Sequence, residues 1–234
     1  MTQPDALPVA LSWSGGKDSA LALQALLASP GLRVEALITT LTRDFNRISM
    51  HGVRRELLEA QAASLRIDLW PNFIPAGAGN AEYERVMGHA FADCRAHGIH
   101  TVAFGDLFLE DIRAYRDRLA AAQGMKTVYP IWRRDTDRVI REFLDDGFKA
   151  VVVCVDPRQL DPSFAGRLID DQFVADLPPT VDPCGENGEF HSFVFDGPIF
   201  RQPVRFSLGE VVYRDEFWFR DLEPGATPEF DRHD

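Results

Sequence analysis

The stretch Ser14-Gly15-Gly16-Lys17-Asp18-Ser19 contains the residue types of a phosphate-binding loop. Two adjacent glycines let the backbone turn sharply and approach a ligand with no Cβ in the way. The amides of a following helix, two hydroxyls and the charge of Lys17 would then face an anion. The spacing is shorter than that of a Walker loop and differs from the Gly-x-Gly-x-x-Gly dinucleotide fingerprint. An ordinary strand-to-helix turn remains the alternative interpretation.

Asp18 is the unexpected residue in this loop, because an anion site should not favour a carboxylate. Two interpretations account for it. Asp18 is either the N-cap of the helix that follows or a ligand of the Mg²⁺ that accompanies ATP.

A second conspicuous stretch runs from Cys184 to Pro198, with sequence CGENGEFHSFVFDGP. Its glycines bracket Glu186 and Asn187, which predicts a shaped loop leading into a strand. In an extended strand, Glu189 and His191 share one face with two phenylalanines. Burial and mutual contact would shift both pKa values toward catalytic use. The alternative is a hairpin whose polar end is solvated and whose histidine is a hydrogen-bonding spacer.

Short apolar strands alternate with amphipathic helices from Val9 to Val155, which predicts an α/β fold with a parallel, Rossmann-like sheet covered by helices on both faces. The predicted strands are 9–13, 34–40, 67–74 (interrupted by Pro71), 100–104, 127–131 and 150–155, and the predicted helices are 18–28, 53–65, 81–97, 111–123 and 139–147.

Prolines become frequent after Asp156, and strands are predicted at 190–195 and 210–220. We therefore predict three segments: an ATP-binding domain over 1–140, a smaller α+β substrate-binding region over 141–220, and a tail over 221–234.

The net charge of −11 lies entirely in the C-terminal part: residues 1–135 carry 15 basic and 15 acidic groups, and residues 136–234 carry 10 and 21. An acidic surface repels phosphate backbones, so we expect no nucleic-acid partner. No apolar run approaches the roughly 20 residues of a membrane span, and no secretory signal is recognisable. These features predict a cytoplasmic protein without a membrane partner. The three dispersed cysteines argue against disulfides or structural zinc.

The Ser14–Ser19 loop resembles the Ser-Gly-Gly-x-Asp-Ser loop of the ATP pyrophosphatase superfamily, in the adenine nucleotide alpha hydrolase class of folds. Its members adenylate a carboxylate or carbonyl oxygen, release pyrophosphate, and let a nitrogen or sulfur nucleophile displace AMP.

The Cys184–Pro198 stretch resembles the Gly-Glu-x-Gly-Glu-aromatic element of the diphthine–ammonia ligase family and its bacterial relatives. The segments 49–54 (SMHGVR) and 104–111 (FGDLFLED) support this resemblance. Archaeal and eukaryotic ligases tend to have Tyr-Glu-Thr where this chain has Phe190-His191-Ser192.

The resemblance implies a set of site residues. Those expected to contact ATP are Ser14, Gly15, Gly16, Lys17, Asp18, Ser19, Thr39, Thr40, Met50, His51, Gly105 and Asp106, with Asp18 and Asp106 as Mg²⁺ ligands. His51 has an alternative role as a capping residue before the helix at Val53. Those expected to act in catalysis are Lys17, Glu186, Glu189 and His191, the last three by binding an ammonium or amine and moving its proton.

The substrate-binding candidates are Asn187 and the pair Arg113 and Arg116, which are neighbours on one helix face and suited to clamp a carboxylate or phosphate. A solvated basic face balanced by Glu110 and Asp117 is the alternative for the arginine pair.

The implied activity is that of an ATP-dependent ligase that joins ammonia or an amine to a small-molecule or protein-borne carboxylate. The alternatives are a tRNA-modifying or sulfur-transfer enzyme, for which Cys184 is the best candidate, and a nucleotide-binding sensor without turnover. The sequence leaves open which acid is activated and whether the chain forms a homo-oligomer.

Overall fold

The computed structural model describes residues 6–49 and 51–225 of the chain. In chain order the elements are β1 (Leu7–Ser12), α1 (Lys17–Leu27), β2 (Leu32–Thr42), β3 (Arg47–Ile48), α2 (Arg55–Leu65), β4 (Asp68–Ile74), α3 (Asn80–Ala96), β5 (Thr101–Ala103), α4 (Glu110–Ala122), β6 (Lys126–Val128), α5 (Thr136–Asp145), β7 (Lys149–Val155), a 3₁₀ turn (Pro162–Phe164), α6 (Asp171–Asp176), β8 (Phe190–Asp196), β9 (Phe206–Arg214) and β10 (Phe217–Pro224).

These elements form two compact units that interleave in sequence. Among the described residues, the first unit comprises 6–14, 18–46 and 66–134, and the second comprises 15–17, 47–65 and 135–225. The predicted segments 1–140, 141–220 and 221–234 are a sequential division, and they stay a prediction about domains. No helix among the described residues is long and apolar enough to cross a membrane.

The first unit contains five parallel strands in the order β4-β2-β1-β5-β6. The three central residues of β1, Val9 to Leu11, are fully buried, as expected for a strand covered on both faces. The chain moves from β1 to one side through β2 and later to the other side through β5, so the topological switch point lies at β1. Ligands of such sheets bind outside the carboxyl ends of the strands at this point. The predicted Rossmann-like α/β fold is confirmed.

Pro71 lies within β4, pairing with Thr39 of β2, so the predicted interruption of this strand does not occur. In the described residues β4 is at the end of the order β4-β2-β1-β5-β6. A proline is tolerated there because an edge strand has one side without ladder hydrogen bonds.

The second unit contains a four-stranded antiparallel sheet in the order β8-β7-β10-β9. The prediction that residues 150–155 continue the parallel sheet was wrong, because this segment is β7 and pairs antiparallel with β8 and β10. An entirely apolar strand is typical of any strand covered on both faces. Its sequence therefore does not distinguish a parallel from an antiparallel position.

The predicted strand at 210–220 is a hairpin, in which β9 and β10 are joined by Asp215 and Glu216. Both turn residues have positive φ, 49° and 68°. That conformation usually selects Gly or Asn, so the residues present gave no turn signal. Strand β10 continues to Pro224, so the first four residues of the predicted tail form part of a strand; residues 226–234 lie outside the described residues.

Asp221 of β10 connects three elements of the second unit. Its carboxylate accepts hydrogen bonds from Arg47 in β3, at 2.6 and 3.1 Å, and from Arg54 just before α2, at 3.2 and 2.6 Å. Burial alone would raise the pKa of Asp221, but the hydrogen bonds from both arginines hold it at about 2. This partly buried network fixes β10 to the start of α2.

Candidate active site

In the second unit, Gly15 has a conformation and surroundings that favour glycine. Its φ is +75°, and a Cβ would lie 2.7 Å from Gln61 Oε1 and 2.8 Å from Leu58 Cδ2, both on α2. The left-handed conformation strains any residue with a Cβ, and a Cβ would also displace the side chains of Gln61 and Leu58. The predicted sharp turn is therefore present at the first glycine of the loop.

Strand β8 holds the glycine loop in the second unit. The backbone N–H of Val194 donates to the carbonyl of Gly15 at 2.9 Å. Gln61 Nε2 donates both to Gly15 O, at 2.9 Å, and to Val194 O, at 2.6 Å. The backbone N–H of Lys17 donates to Ser192 Oγ at 3.1 Å, across 175 residues of sequence. The two motifs that the sequence analysis singled out therefore meet.

Two histidines lie beside this contact. The rings of His51 and His191 stack with centroids 4.5 Å apart and planes 24° apart, and His51 Nδ1 lies 3.4 Å from Ser192 O. The pKa of His51 is lowered well below its ordinary value, chiefly by burial and then by the charges of His191 and Lys17, against the opposing hydrogen bond to Ser192. His51 is therefore neutral at neutral pH and can accept a proton. Met50 lies outside the described residues.

Glu189 closes the loop that precedes β8. Its carboxylate accepts hydrogen bonds from the backbone N–H of Asp182 at 2.9 Å, the backbone N–H of Asn187 at 2.9 Å and Asn187 Nδ2 at 3.1 Å. Glu189 is 1% exposed, Glu186 is half-buried and Asn187 is exposed. These contacts direct Glu189 into the loop, whereas His191 stacks on His51.

A cavity of about 480 Å³ adjoins this loop in the second unit, and Asp137, Asp182 and Asn187 are among the residues that line it. Asn187 was predicted to bind substrate, and its position at this cavity is compatible with that role. The lining carboxylates would favour a ligand with a positive or hydrogen-bond-donating group.

In the first unit, polar groups gather just after the carboxyl ends of β1 and β5 and at Thr39 of β2, one residue beyond the last β1–β2 pair. Ser14 Oγ donates to Ser19 Oγ at 3.2 Å. Gly105, just after β5, approaches the start of α1 so closely that a Cβ would lie 2.8 Å from Asp18 O. Thr39 Oγ1 is buried and has no hydrogen-bond partner among the described residues, whereas the buried Asp106 Oδ2 is in an ion pair with Arg116. A buried hydroxyl without a partner at a switch point fits a ligand site.

The carboxylate of Asp106 also forms an ion pair. Arg116 Nη1 lies 3.1 Å from its Oδ2. The pKa of Asp106 is raised, chiefly by burial; the charge of Arg116 lowers it and that of Asp18 raises it. The two predicted Mg²⁺ ligands are thus close enough to interact. No group of three or more His, Cys, Asp or Glu side chains suited to a metal occurs in the part of the chain that the structure describes. Two carboxylates completed by phosphates and water still fit Mg²⁺.

The two arginines of α4 are packed against aromatic rings. The guanidinium of Arg113 lies 4.7 Å from the ring of Tyr129 and 4.6 Å from that of Trp132, and that of Arg116 lies 4.6 Å from the ring of Phe104. Both side chains are about one-third exposed. A purely solvated basic face would lack such contacts, so the arrangement favours a fixed orientation of both cations.

The alternative interpretation of Arg113 and Arg116, a solvated basic face, needs Asp117 and Glu110 as their acidic partners, and only one of the two pairs with either arginine. Asp117 lies 3.7 Å from Arg113, in agreement with that interpretation. Glu110, however, pairs with Arg133 at 2.8 Å.

Thr40, a predicted ATP contact, is half-buried in β2, which continues two residues beyond it to Thr42.

Two residues of the second unit, Gln61 and Ser192, were not among the predicted site residues. Gln61 is a fully buried polar residue among the apolar positions of α2, and this mismatch was a usable signal. Ser192 lies in the motif at 190–192, but no spacing rule connects its hydroxyl with the backbone of Lys17.

The first unit is a Rossmann-like α/β sheet with a glycine loop beginning at its switch point, and the second is an antiparallel sheet. Two family models match the chain: the diphthamide synthase N-terminal domain over residues 7–127, more than half of the chain, and the diphthamide synthase C-terminal domain over residues 135–223. The chain belongs to the diphthamide synthase family. The N-terminal match fits the PP-loop fold of the first unit.

Curated relatives bear the name diphthine–ammonia ligase. The rat protein (Rattus norvegicus) is 22% identical over 227 residues, which cover 87% of this chain and 84% of the relative. The human protein (Homo sapiens) is 29% identical over 87 residues, 35% of this chain and 33% of the relative. The bovine protein (Bos taurus) is 22% identical over 119 residues, 49% of this chain and 45% of the relative. The matches to the human and bovine proteins thus span a third to just under half of their lengths.

Proposed function

We propose that this protein is an ATP-dependent ligase that adenylates a carboxylate and forms an amide with ammonia or an amine. A carboxylate oxygen attacks the α-phosphorus of ATP, and pyrophosphate leaves. The nitrogen then attacks the acyl carbon, and AMP leaves. The observation that carries the proposal is the hydrogen bond from Lys17 to Ser192, because it joins the ATP-type loop to the strand that bears His191.

The phosphates of the nucleotide are proposed to contact the loop residues Ser14 and Ser19 and the other polar groups of the first unit. The hydroxyls of Ser14 and Ser19 would donate to phosphate oxygens, and the buried Thr39 Oγ1 would gain the partner that it lacks. Asp18 and Asp106 would hold Mg²⁺, which neutralises phosphate charge in such sites. Lys17 would stabilise the charge that develops on the leaving pyrophosphate.

The nucleophile is proposed to be deprotonated by the histidine pair. Ammonium must lose a proton before its nitrogen can attack, and His51 is the neutral imidazole of the pair. His191 would orient the His51 ring by stacking on it and would move a proton of the nucleophile through its own ring nitrogens, and Glu186 would bind the ammonium ion. Glu189, with three hydrogen bonds from its own loop, is proposed to position that loop.

The substrate class is a carboxylate, small or protein-borne, and its identity stays open. Diphthine is the substrate named for the relatives. In this chain the segment Phe190-His191-Ser192 supplies two contacts: His191 stacks on His51, and Ser192 accepts a hydrogen bond from Lys17. A substitution at these positions would therefore alter residues that are proposed to contact the nucleophile. Arg113 and Arg116 are proposed to bind a carboxylate or phosphate of the substrate.

The cysteines favour this proposal over sulfur transfer. Burial raises the pKa of Cys94 to about 11 and that of Cys154 to about 12. Cys184 is buried, and its Sγ donates to Thr136 O at 3.4 Å. A sulfur-transfer enzyme needs an accessible thiolate. Full activity of Cys184→Ser would exclude a route through that thiol.

The decisive test is to identify the nucleotide product. The purified protein is incubated with ATP, Mg²⁺, ammonium and a pool of cellular metabolites whose carboxylates carry ¹⁸O. We expect AMP and pyrophosphate, with one ¹⁸O atom transferred to AMP from the activated acid. Formation of ADP would contradict adenylation, and AMP without ¹⁸O would contradict a carboxylate acceptor.

The nucleotide-sensor alternative predicts a different outcome of the same experiment. A sensor would bind ATP and leave it intact with every metabolite fraction. Exchange of labelled pyrophosphate into ATP measures adenylation without the nucleophile. Exchange that requires a metabolite fraction would exclude the sensor, whereas binding without exchange in any fraction would favour it.

A further inference from the structure

Strand β9 leaves one long edge of the antiparallel sheet in the second unit without a neighbour among the described residues. Three consecutive apolar side chains near its end are exposed: Val211 by 39%, Val212 by 45% and Tyr213 by 55%. The strand contains neither Lys nor Pro, the residues that usually protect such edges. An exposed, apolar edge of this kind is a template for pairing with another strand.

The opposite edge of the same sheet is covered. Val194 of β8 donates its N–H to Gly15 O, and its carbonyl accepts from Gln61 Nε2. The described part of the second unit therefore closes one edge with its own residues and leaves the other exposed.

The hairpin turn determines which backbone groups of β9 face outward. Because Asp215 and Glu216 both have positive φ, they form a two-residue primed turn, and Arg214 and Phe217 are its closing hydrogen-bonded pair. Hydrogen-bonded and non-hydrogen-bonded pairs alternate along antiparallel strands. The N–H and C=O groups of Val211 and Tyr213 therefore face away from β10.

We propose that β9 pairs edge to edge with β9 of a second copy of this chain, antiparallel, with the two-fold axis at Val212. In this register Val211 of one copy exchanges backbone hydrogen bonds with Tyr213 of the other. Glu210 of each copy lies opposite Arg214 of the other, so opposite charges face each other twice. A register shifted by one residue in either copy loses this pairing. The charge pattern of the strand thus selects a second copy of itself.

The proposal is independent of the enzymatic activity, and its first test is the mass in solution. Light scattering after size exclusion should give a value rising with concentration toward twice 26.3 kDa, with a micromolar dissociation constant expected for a small interface. A constant monomer mass over the whole soluble range would overturn it.

Charge exchange tests the register. In Glu210→Arg, arginine faces Arg214 twice, and we expect dimerisation about tenfold weaker. The double variant E210R/R214E restores opposite charges and should restore the dimer. Glu56→Arg, the same charge change at an exposed position of α2, is the control and should dimerise normally. An unchanged dimer in E210R, or no recovery in a folded double variant, would contradict the register.

Disulfide trapping gives an independent readout. Only residue 212 faces its own copy across the axis, so Val212→Cys should form a covalent dimer under mild oxidation. Val211→Cys would lie roughly 7–8 Å from its own counterpart and should not. The native cysteines are buried and should not interfere. Trapping of the 211 variant in preference to the 212 variant would overturn the proposed axis.

Discussion

The stacked pair of His51 and His191 gives the second unit an imidazole, that of His51, which stays neutral at neutral pH. Burial, the charge of His191 and the charge of Lys17 all disfavour protonation of His51. Since the unfolded chain binds a proton at the ordinary pKa of about 6.5 and the folded chain does not, protons favour unfolding below that pH.

We therefore expect the free energy of unfolding to fall as the pH drops below about 6.5, and this dependence to be weaker in His51→Asn. Urea unfolding at a series of pH values measures it. His100→Asn, at an exposed position before β5, is the control and should keep the wild-type dependence. The same slope in His51→Asn as in the wild type would contradict the assignment.

Lys17 supplies the positive charge of the glycine loop. It is 1% exposed, and its backbone is fixed by Ser192. Lys17→Ala should lower ATP affinity by at least about tenfold, because a charge-assisted contact with phosphate is lost. Calorimetric titration with ATP measures this, with Lys126→Ala, an exposed lysine in the first unit, as control. A Lys17→Ala protein that binds ATP normally would overturn our account of the loop.

Residue types in the sequence predicted the loop and the position of the second motif, but not the contacts between them. The stacking of His51 on His191 and the hydrogen bond of Lys17 to Ser192 join positions far apart in the chain. Spacing rules act over a few residues and do not reach such pairs. Gln61 was not predicted either, although a polar residue on a buried helix face requires a partner and this signal was present in the sequence.

The turn after β5 can approach the start of helix α1 closely because Gly105 has no side chain. A Cβ on Gly105 would lie 2.8 Å from Asp18 O. Gly105→Ala should therefore displace the start of α1, lowering stability by about 1–3 kcal/mol and weakening ATP binding.

Thermal unfolding and ATP titration check this prediction. Gly31→Ala is the matched control, since a Cβ at Gly31 has nothing within 4 Å. Equal behaviour of the two variants would show that the close approach at Gly105 has no energetic consequence.

Strand β10 depends on Asp221 for its connection to β3 and α2. Asp221→Asn removes the charge that accepts four hydrogen bonds from two arginines and should cost about 2–3 kcal/mol. Because the folded pKa of about 2 lies below the ordinary value of 3.8, this stabilisation is present above about pH 4 and is lost as the pH falls toward 2.

Unfolding of Asp221→Asn between about pH 7 and pH 2 tests the assignment, with the exposed Asp68→Asn as control. The difference between variant and wild type should shrink at the acidic end. A difference that stays constant over this range would mean that charge is not the cause.

Hydrophobic patterns located most helices and strands to within a few residues, and they failed where two structures share one pattern. The apolar run at 150–155 suits either kind of sheet. The turn at Asp215 and Glu216 lacks the Gly or Asn that its φ angles favour, so the hairpin was predicted as one strand. In both segments the strand with which the residues pair, and not their local preference, determines the structure.

The whole molecule carries a net charge of −11, contributed entirely by residues 136–234. Such a surface repels nucleic acids, and we expect no measurable binding to total cellular RNA at physiological ionic strength. Fluorescence anisotropy with labelled RNA checks this, at low salt as well. Tight, salt-dependent binding would instead favour the tRNA-modifying alternative.

Glu189 accepts three hydrogen bonds from its own loop, so its replacement should affect folding as well as turnover. A library of variants screened only for folded protein should reject most replacements of Glu189, because each leaves buried amides without an acceptor. The same screen should accept many replacements of the half-buried Glu186. A screen for turnover should reject both. The two glutamates of one short motif would then differ in mutational tolerance, and that difference would separate loop architecture from chemistry.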